Sequence, residues 1–141
     1  MQKAKALGLN EGPLIGRLQE GQMVLFKGKE VKPDMVSFVK KGKKIGIVLD
    51  TTPCEGAQLI AEDKDLLICE ASYASAIEEK AEDNKHLTAK QAALIASHAN
   101  VKRLILTHIS QRYKTPEEVL EDAKDVFPSA EVAYDFMKVK I

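Results

Sequence analysis

Residues 44–70 read KIGIVLDTTPCEGAQLIAEDKDLLICE. Two short apolar runs, residues 45–49 and 66–69, stand at the ends of this stretch. Each run is continuous rather than alternating, which is typical of a strand buried on both faces. Between them, Thr52 and Pro53 open a segment with apolar residues at helical spacing. The stretch therefore predicts a strand–helix–strand unit.

The rest of the chain continues this alternation. Thr88 and Gln91 form a capping box that predicts the start of a helix. Residues 104–106 are a third apolar run, and Pro116 marks the start of another helix. Residues 132–139 are a last predicted strand. Alternating strands and helices predict an α/β fold, layered on a largely parallel sheet.

Polar side chains follow the three apolar strands where each strand ends. Asp50 follows the first strand, Glu70 the second, and His108 the third. The carboxyl ends of neighbouring parallel strands meet at one edge of a sheet, where such sheets bind ligands. We therefore expect two carboxylates and an imidazole to converge there. Asp50 taken by itself is better explained as a helix cap than as a ligand.

Charge, apolar runs and cysteine count argue against a membrane protein and a secreted protein. The 141 residues carry 21 basic and 21 acidic side chains, so no overall field attracts nucleic acid or a membrane. No stretch approaches the roughly 18 apolar residues of a membrane helix, and none resembles a signal peptide. Two cysteines cannot form a disulfide framework. We expect a cytoplasmic protein that does not bind membranes.

The first part of the chain differs from the remainder. Residues 27–44 contain seven lysines against two acidic residues, in a segment with Gly28, Pro33 and Gly42. This composition favours hairpins or an arm over a compact helix. A basic arm suits contacts with phosphates, although from charge alone a solvated surface is the better explanation. We predict a basic segment over residues 1–43 and a separate domain over residues 44–141.

Several motifs occur in the order found in one enzyme family. RLILTHISQRY (103–113), LDTTPCEG (49–56) and CEASY (69–73) resemble its last histidine motif, its Gly-Asp-Thr motif and its His-Glu-Ala-Thr loop. HLTAKQAA (86–93) resembles its His-Ser-Thr loop, and EGPLIGRLQEG (11–21) its Gly-Pro segment. AYDF (133–136) resembles its closing strand. The chain thus resembles the C-terminal part of ribonuclease Z, a zinc-dependent endonuclease that trims the 3′ end of precursor tRNA.

The resemblance implies a fold and a set of roles. The fold implied is the C-terminal half of a metallo-β-lactamase-type αββα sandwich. Asp50 and His108 would be metal ligands for two zinc ions. His86, oriented by Glu70, would assist proton transfer at the leaving group. Arg17, Lys27 and Lys29 would contact the phosphates of precursor tRNA.

The resemblance also implies that half of the metal site lies elsewhere. The family's remaining ligands come from a His-x-His-x-Asp-His motif and one further histidine. This sequence has three histidines, at positions 86, 98 and 108, and they do not form that motif. Because zinc sites take three or four protein ligands, Asp50 and His108 are too few. We expect the isolated chain to be inactive until the missing N-terminal half is supplied.

The sequence leaves alternatives open. The chain could be part of another hydrolase of the same fold that acts on a different phosphodiester or on an ester. It could also be a non-catalytic half-domain that binds RNA or a partner, or a remnant with no activity. The resemblance implies a homodimer, and nothing in the sequence itself sets the oligomeric state.

Overall fold

The computed structural model describes residues 2–10, 12–38 and 40–141. Glu11, the first residue of the EGPLIGRLQEG motif, therefore lies outside the described part. The chain divides into two compact units, residues 1–42 and 43–141. No helix in the described ranges is both long and apolar enough to span a membrane.

The first unit combines short helices with a hairpin. Its helices are α1 (Gln2–Ala6), α2 (Pro13–Gln19) and α3 (Pro33–Val36), and its strands are β1 (Val24–Phe26) and β2 (Lys29–Val31). The two strands are antiparallel and are joined by Lys27 and Gly28, which both take positive φ angles. A small apolar cluster lies inside this unit: Ala4, Leu9, Leu18, Val24, Val31 and Val36.

The second unit is built on a parallel four-stranded sheet. Its strands are β3 (Ile45–Val48), β4 (Leu66–Glu70), β5 (Leu104–Thr107) and β6 (Glu131–Val132). They lie side by side in chain order, and every neighbouring pair is parallel. The α/β prediction is confirmed.

Helices connect these strands. They are α4 (Glu55–Ala61), α5 (Glu78–Asn84) after a turn of 3₁₀ helix (Ser75–Ile77), α6 (Ala89–His98) and α7 (Glu117–Lys124). The capping box that opens α6 is present, with the Thr88 hydroxyl accepting from the Gln91 amide. Alanines on α4, α6 and α7 pack with alternate strand residues, among them Val48, Leu67 and Leu106, in one buried cluster. Small side chains allow the helices to approach the sheet closely.

The opposite face of β3 is open, which corrects the prediction of a strand buried on both faces. Gly46 and Val48 are buried, whereas Ile45, Ile47 and Leu49 are 48%, 55% and 51% exposed. Successive strand residues point to opposite faces, and the helices cover only one of them at β3. The sheet therefore presents an uncovered apolar strip along this strand.

The last strand is also shorter than predicted. Only Glu131 and Val132 pair with β5, followed by one more bond from the Ala133 amide to the Leu106 carbonyl at 2.8 Å. The chain then turns at Asp135 and Phe136, where Phe136 has a φ of 64°. A turn within the AYDF motif thus ends the pairing that an unbroken strand over residues 132–139 would have made.

Candidate metal and catalytic site

The carboxyl ends of β3, β4 and β5 form one edge of the sheet. Glu70 is the last residue of β4 and lies beside Thr107 of β5, and His108 follows directly. Asp50 lies two residues beyond the end of β3. His86 reaches the same edge from the loop between α5 and α6. The sheet topology thus brings together four residues that are far apart in sequence.

Asp50 and His108 meet as predicted. Asp50 Oδ1 lies 3.3 Å from His108 Nε2, and the two side chains are 71% and 47% exposed. Two donors bound to one tetrahedral zinc at about 2.0–2.1 Å lie about 3.3–3.4 Å apart. The spacing is therefore that of two ligands of a single ion, and these residues fit a shared metal.

Both residues have a left-handed backbone. The φ angles of Asp50 and His108 are 49° and 56°. This conformation is uncommon for a residue other than glycine and concentrates at functional sites. Each strand ends in a sharp change of direction that turns the next polar side chain toward the sheet edge.

Glu70 is the centre of the hydrogen bonding behind this edge, and it is fully buried. Its Oε1 accepts from the Thr51 amide at 2.5 Å. Its Oε2 accepts from the Leu87 amide at 3.2 Å and the Ser72 hydroxyl at 3.0 Å. Oε2 also lies 3.0 Å from His86 Nδ1. One carboxylate therefore ties together the loops that carry Asp50 and His86 and the segment that follows β4.

His86 stands over this buried carboxylate. Its side chain is 23% exposed, and its ring centroid is 5.0 Å from that of His108. One potential ligand atom from each of Asp50, His86 and His108 lies within 4.8 Å of the others. Within residues 2–10, 12–38 and 40–141, no other cluster of three such residues occurs. The site thus offers a third donor beyond the two expected from the sequence.

Ser72 and Asp122 take part in the site in ways that the sequence reasoning did not identify. Ser72 is 3% exposed, and its hydroxyl lies 2.9 Å from His108 Nδ1. Asp122 of α7 accepts from the Lys90 and Ser75 amides, both at 3.0 Å, and so fixes segments on both sides of the His86 loop. The sequence signal for Ser72 is its place two residues after Glu70, whereas Asp122 gives no such signal.

A cleft of about 330 Å³ opens beside the two histidines. Seven residues line it: Ser72, Tyr73, His86, His108, Ile109, Ser110 and Gln111. The polar groups at its rim can bind an anionic or polar ligand next to the Asp50–His108 pair.

The three basic residues predicted to contact RNA lie in the first unit. Arg17 is exposed on α2 and donates from Nε to Gln22 at 3.1 Å. Lys27 lies in the hairpin turn with its ammonium 5.3 Å from the Phe26 ring centroid, and Lys29 is exposed at the start of β2. Lys27 and Lys29 therefore share one hairpin.

Known proteins resemble this chain over nearly its whole length. Ribonuclease Z of Methanothermobacter thermautotrophicus is 44% identical over 141 residues, which are 99% of this chain and 46% of that protein. Ribonuclease Z of Archaeoglobus fulgidus is 42% identical over 139 residues, covering 97% of this chain and 45% of that protein. The chain therefore spans about half the length of these curated relatives and corresponds to their C-terminal half. No protein-family model matches the chain.

Two solved structures are similar in fold to this chain. The short form of human tRNase Z superposes with a TM-score of 0.56 at 31% identity, covering 79% of this chain and 36% of that one. A metallo-β-lactamase fold protein from Bacillus subtilis also gives a TM-score of 0.56, at 23% identity, covering 63% of this chain and 36% of that one. The expected metallo-β-lactamase-type fold is therefore confirmed.

Proposed function

Because the chain resembles the C-terminal half of ribonuclease Z over nearly its whole length, we propose that it supplies that half of a tRNA-processing endoribonuclease. The proposed reaction is hydrolysis of one phosphodiester bond, which removes the 3′ trailer of precursor tRNA. The observation that carries the proposal is the pairing of Asp50 Oδ1 with His108 Nε2 at 3.3 Å at the sheet edge.

Zinc is the proposed cofactor, held in part by Asp50 and His108. Their imidazole and carboxylate donors suit zinc, and their spacing fits a tetrahedral ion. When bound, zinc supplies an activated water and offsets negative charge on the phosphate. Ligands contributed from outside this chain would complete a site for two ions.

His86 is the proposed acid, and Glu70 holds it in place. The Nδ1–Oε2 contact of 3.0 Å fixes the plane of the ring, so the opposite edge with Nε2 is left for the substrate. A histidine in this position can give a proton to the leaving oxygen of the phosphodiester. Glu70 is fully buried behind His86 and is held by hydrogen bonds from the surrounding loops, so it acts by positioning His86.

The chain needs a partner in this proposal. The uncovered strip formed by Ile45, Ile47 and Leu49 supports a second layer of structure on that face of the sheet. The curated relatives are about twice as long, which supports an N-terminal half as the occupant. We propose that the 141-residue chain is inactive by itself, and that the complete protein is a cytoplasmic homodimer.

The first unit is the proposed RNA-contacting part. Arg17, Lys27 and Lys29 are exposed cations, and Lys27 and Lys29 lie on one hairpin. Such side chains bind phosphates without reading bases, so they would hold the body of precursor tRNA. Neutralising one contact should weaken binding evenly across tRNA sequences and reduce its dependence on salt.

Reassembly tests the proposal. The 141-residue chain is mixed with, or fused to, the N-terminal half of the Methanothermobacter enzyme in the presence of zinc, and cleavage of precursor tRNA is followed on gels. We expect cleavage at the 3′ end only when both halves are present, and none with His108→Ala. His98→Ala, a change on the exposed end of α6, should cleave normally. Cleavage that survives His108→Ala, or a reassembled protein that hydrolyses small diesters but ignores precursor tRNA, would overturn the proposal.

A further inference from the structure

The Ser72 hydroxyl makes more polar contacts than one proton can serve. Its Oγ lies 3.0 Å from Glu70 Oε2, 2.8 Å from the His108 carbonyl oxygen and 2.9 Å from His108 Nδ1. A serine hydroxyl has one proton to donate and two lone pairs that accept. The first two of these neighbours are oxygens that only accept. If the hydroxyl donated to Nδ1 instead, its oxygen would face both of these acceptors without a proton between them, so donation to one of the two oxygens leaves fewer unfavourable contacts.

The contacts of Ser72 favour a proton on Nδ1 of His108. Since Oγ donates to one of the two oxygens, its contact with Nδ1 is satisfied when Nδ1 carries a proton and donates to Oγ. In a neutral imidazole the other nitrogen, Nε2, then holds a lone pair. Nε2 lies 3.3 Å from Asp50 Oδ1, but the Asp50 side chain is 71% exposed and solvent can serve its oxygen, so this contact constrains the tautomer less than the buried Ser72 hydroxyl does. The lone pair needed to bind a metal thus faces the site.

The buried Glu70 carboxylate influences the tautomers of both His86 and His108. His86 Nδ1 lies 3.0 Å from Glu70 Oε2, and all the other contacts of that carboxylate are donors, so His86 also carries its proton on Nδ1. Glu70 reaches His86 directly and His108 through Ser72. Ser72 also accepts from the Ser110 amide at 3.1 Å through its carbonyl, which helps to hold the turn after His108.

We infer that Ser72 is a positioning residue that relays the Glu70 carboxylate to His108 and keeps His108 in the Nδ1–H tautomer, with Nε2 free to bind a metal. The inference rests on the proposed role of His108 as a metal ligand. Hydrogen-bonded partners of metal-binding histidines act in this way, and losing one weakens metal affinity about 10- to 100-fold.

The tautomer of His108 can be measured in the 141-residue chain without metal or RNA. The histidine-labelled 141-residue chain is examined by long-range ¹H–¹⁵N correlation NMR at pH 8, above the ordinary histidine pKa of about 6.5. We expect His108 to show a protonated Nδ1 and an unprotonated Nε2. In Ser72→Ala, His108 should shift toward the Nε2–H form that free imidazole side chains prefer. Ser72→Thr keeps the hydroxyl and should restore the original pattern.

His86 is the control inside the same site. It contacts Glu70 directly, so its tautomer should be the same in Ser72→Ala as in the wild type, which also shows that the variant is folded. An unprotonated Nδ1 on His108 in the wild type, or an unchanged His108 in Ser72→Ala, would overturn the inference. These readouts are independent of the nuclease activity. In the reassembled protein, Ser72→Ala should lower zinc affinity about 10- to 100-fold, with Ser72→Thr close to the wild type.

Discussion

Glu70 and His86 are joined by a 3.0 Å contact between carboxylate Oε2 and Nδ1, behind the exposed pair of Asp50 and His108. The carboxylate is completely buried, and four donors from three segments of the chain converge on it. An ionised carboxylate only accepts hydrogen bonds, which matches a surrounding made entirely of donors. The same group that orients the proposed acid therefore also holds the loops of the site together.

Replacing this carboxylate should lower the stability of the fold. In Glu70→Gln, one acceptor oxygen becomes an NH₂ group that faces donors, and a buried donor left without a partner costs about 1–3 kcal/mol. We expect a loss of that size in the free energy of unfolding, measured by urea denaturation. Glu79→Gln is the matched control, because Glu79 is exposed in the first turn of α5. Equal stability of the two variants would show that the Glu70 network contributes nothing to folding.

The convergence at the sheet edge could be predicted from sequence for a simple reason. Asp50, Glu70 and His108 each follow an apolar strand, and parallel pairing alone brings the ends of neighbouring strands together. His86 could be placed only through its motif, because a loop histidine has no periodic pattern that locates it. The roles of these residues in catalysis and metal binding stay predictions.

Other features of the fold and the site depend on contacts between distant residues, which a local sequence pattern does not predict. The run over residues 45–49 is apolar on both sides, so its sequence cannot show that helices cover only the side of Gly46 and Val48. The left-handed backbone of His108 is uncommon for a residue other than glycine and is held by neighbours such as Ser72. Ser72 itself looks like any small polar residue until its three partners are seen together.

Gly46 should not tolerate a side chain. A Cβ atom there would lie 2.9 Å from the Ile60 carbonyl oxygen of α4 and 3.1 Å from a Leu67 methyl group. Overpacking of this kind typically costs about 1–3 kcal/mol. We expect Gly46→Ala to lose that much in the free energy of unfolding, since the backbone oxygen cannot move without shifting α4.

Gly56 provides the control for this substitution. It lies in α4, and an added Cβ would meet only Cys54 Sγ at an ordinary 3.8 Å. Gly56→Ala should be neutral or up to about 1 kcal/mol more stable, because alanine favours helices over glycine. Urea denaturation of both variants measures the difference. A Gly46→Ala variant as stable as the wild type would show that α4 packs less closely on β3 than this structure has it.

The two cysteines should differ sharply in reactivity. Cys54 is exposed, and a hydrogen bond with the Thr51 hydroxyl, followed by one with the Ala57 backbone, lowers the pKa of its thiol. Burial, together with the nearby charge of Glu70, raises the pKa of the Cys69 thiol to about 12. The thiolate is the reactive form. At pH 8 a thiol with a pKa near 12 is ionised in only about one molecule in ten thousand.

We therefore expect one fast-reacting thiol in the folded chain, measured with a chromogenic disulfide reagent at pH 8. Cys54→Ser should remove the fast phase, and Cys69→Ser should leave it intact. The second thiol should react only after denaturant is added. Two equally fast thiols in the native protein would mean that β4 opens readily at Cys69.

Asp65 should give the fold a pH-dependent contribution. It lies just before β4, where its carboxylate accepts from the Lys102 ammonium at 2.7 Å and the Lys44 amide at 2.9 Å. These two hydrogen bonds, with smaller effects from the charges of Lys102 and Lys43, lower its pKa from 3.8 to about 2. A carboxylate with a lowered pKa in the folded state stabilises the fold above its unfolded pKa, and this contribution is lost as the pH falls through the folded pKa.

The stabilising contribution of Asp65 is therefore lost between about pH 4 and about pH 2. Asp65→Asn should be less stable than the wild type at pH 7, and the difference should disappear across that window in urea denaturation curves. Lys102→Ala should reproduce part of the effect, because it removes the ammonium and leaves the Lys44 amide bond in place. The Lys102 ammonium is well exposed, so added salt should also reduce the difference. A stability difference between Asp65→Asn and the wild type that is the same at pH 2 and pH 7 would mean that the charge of Asp65 has no part in it.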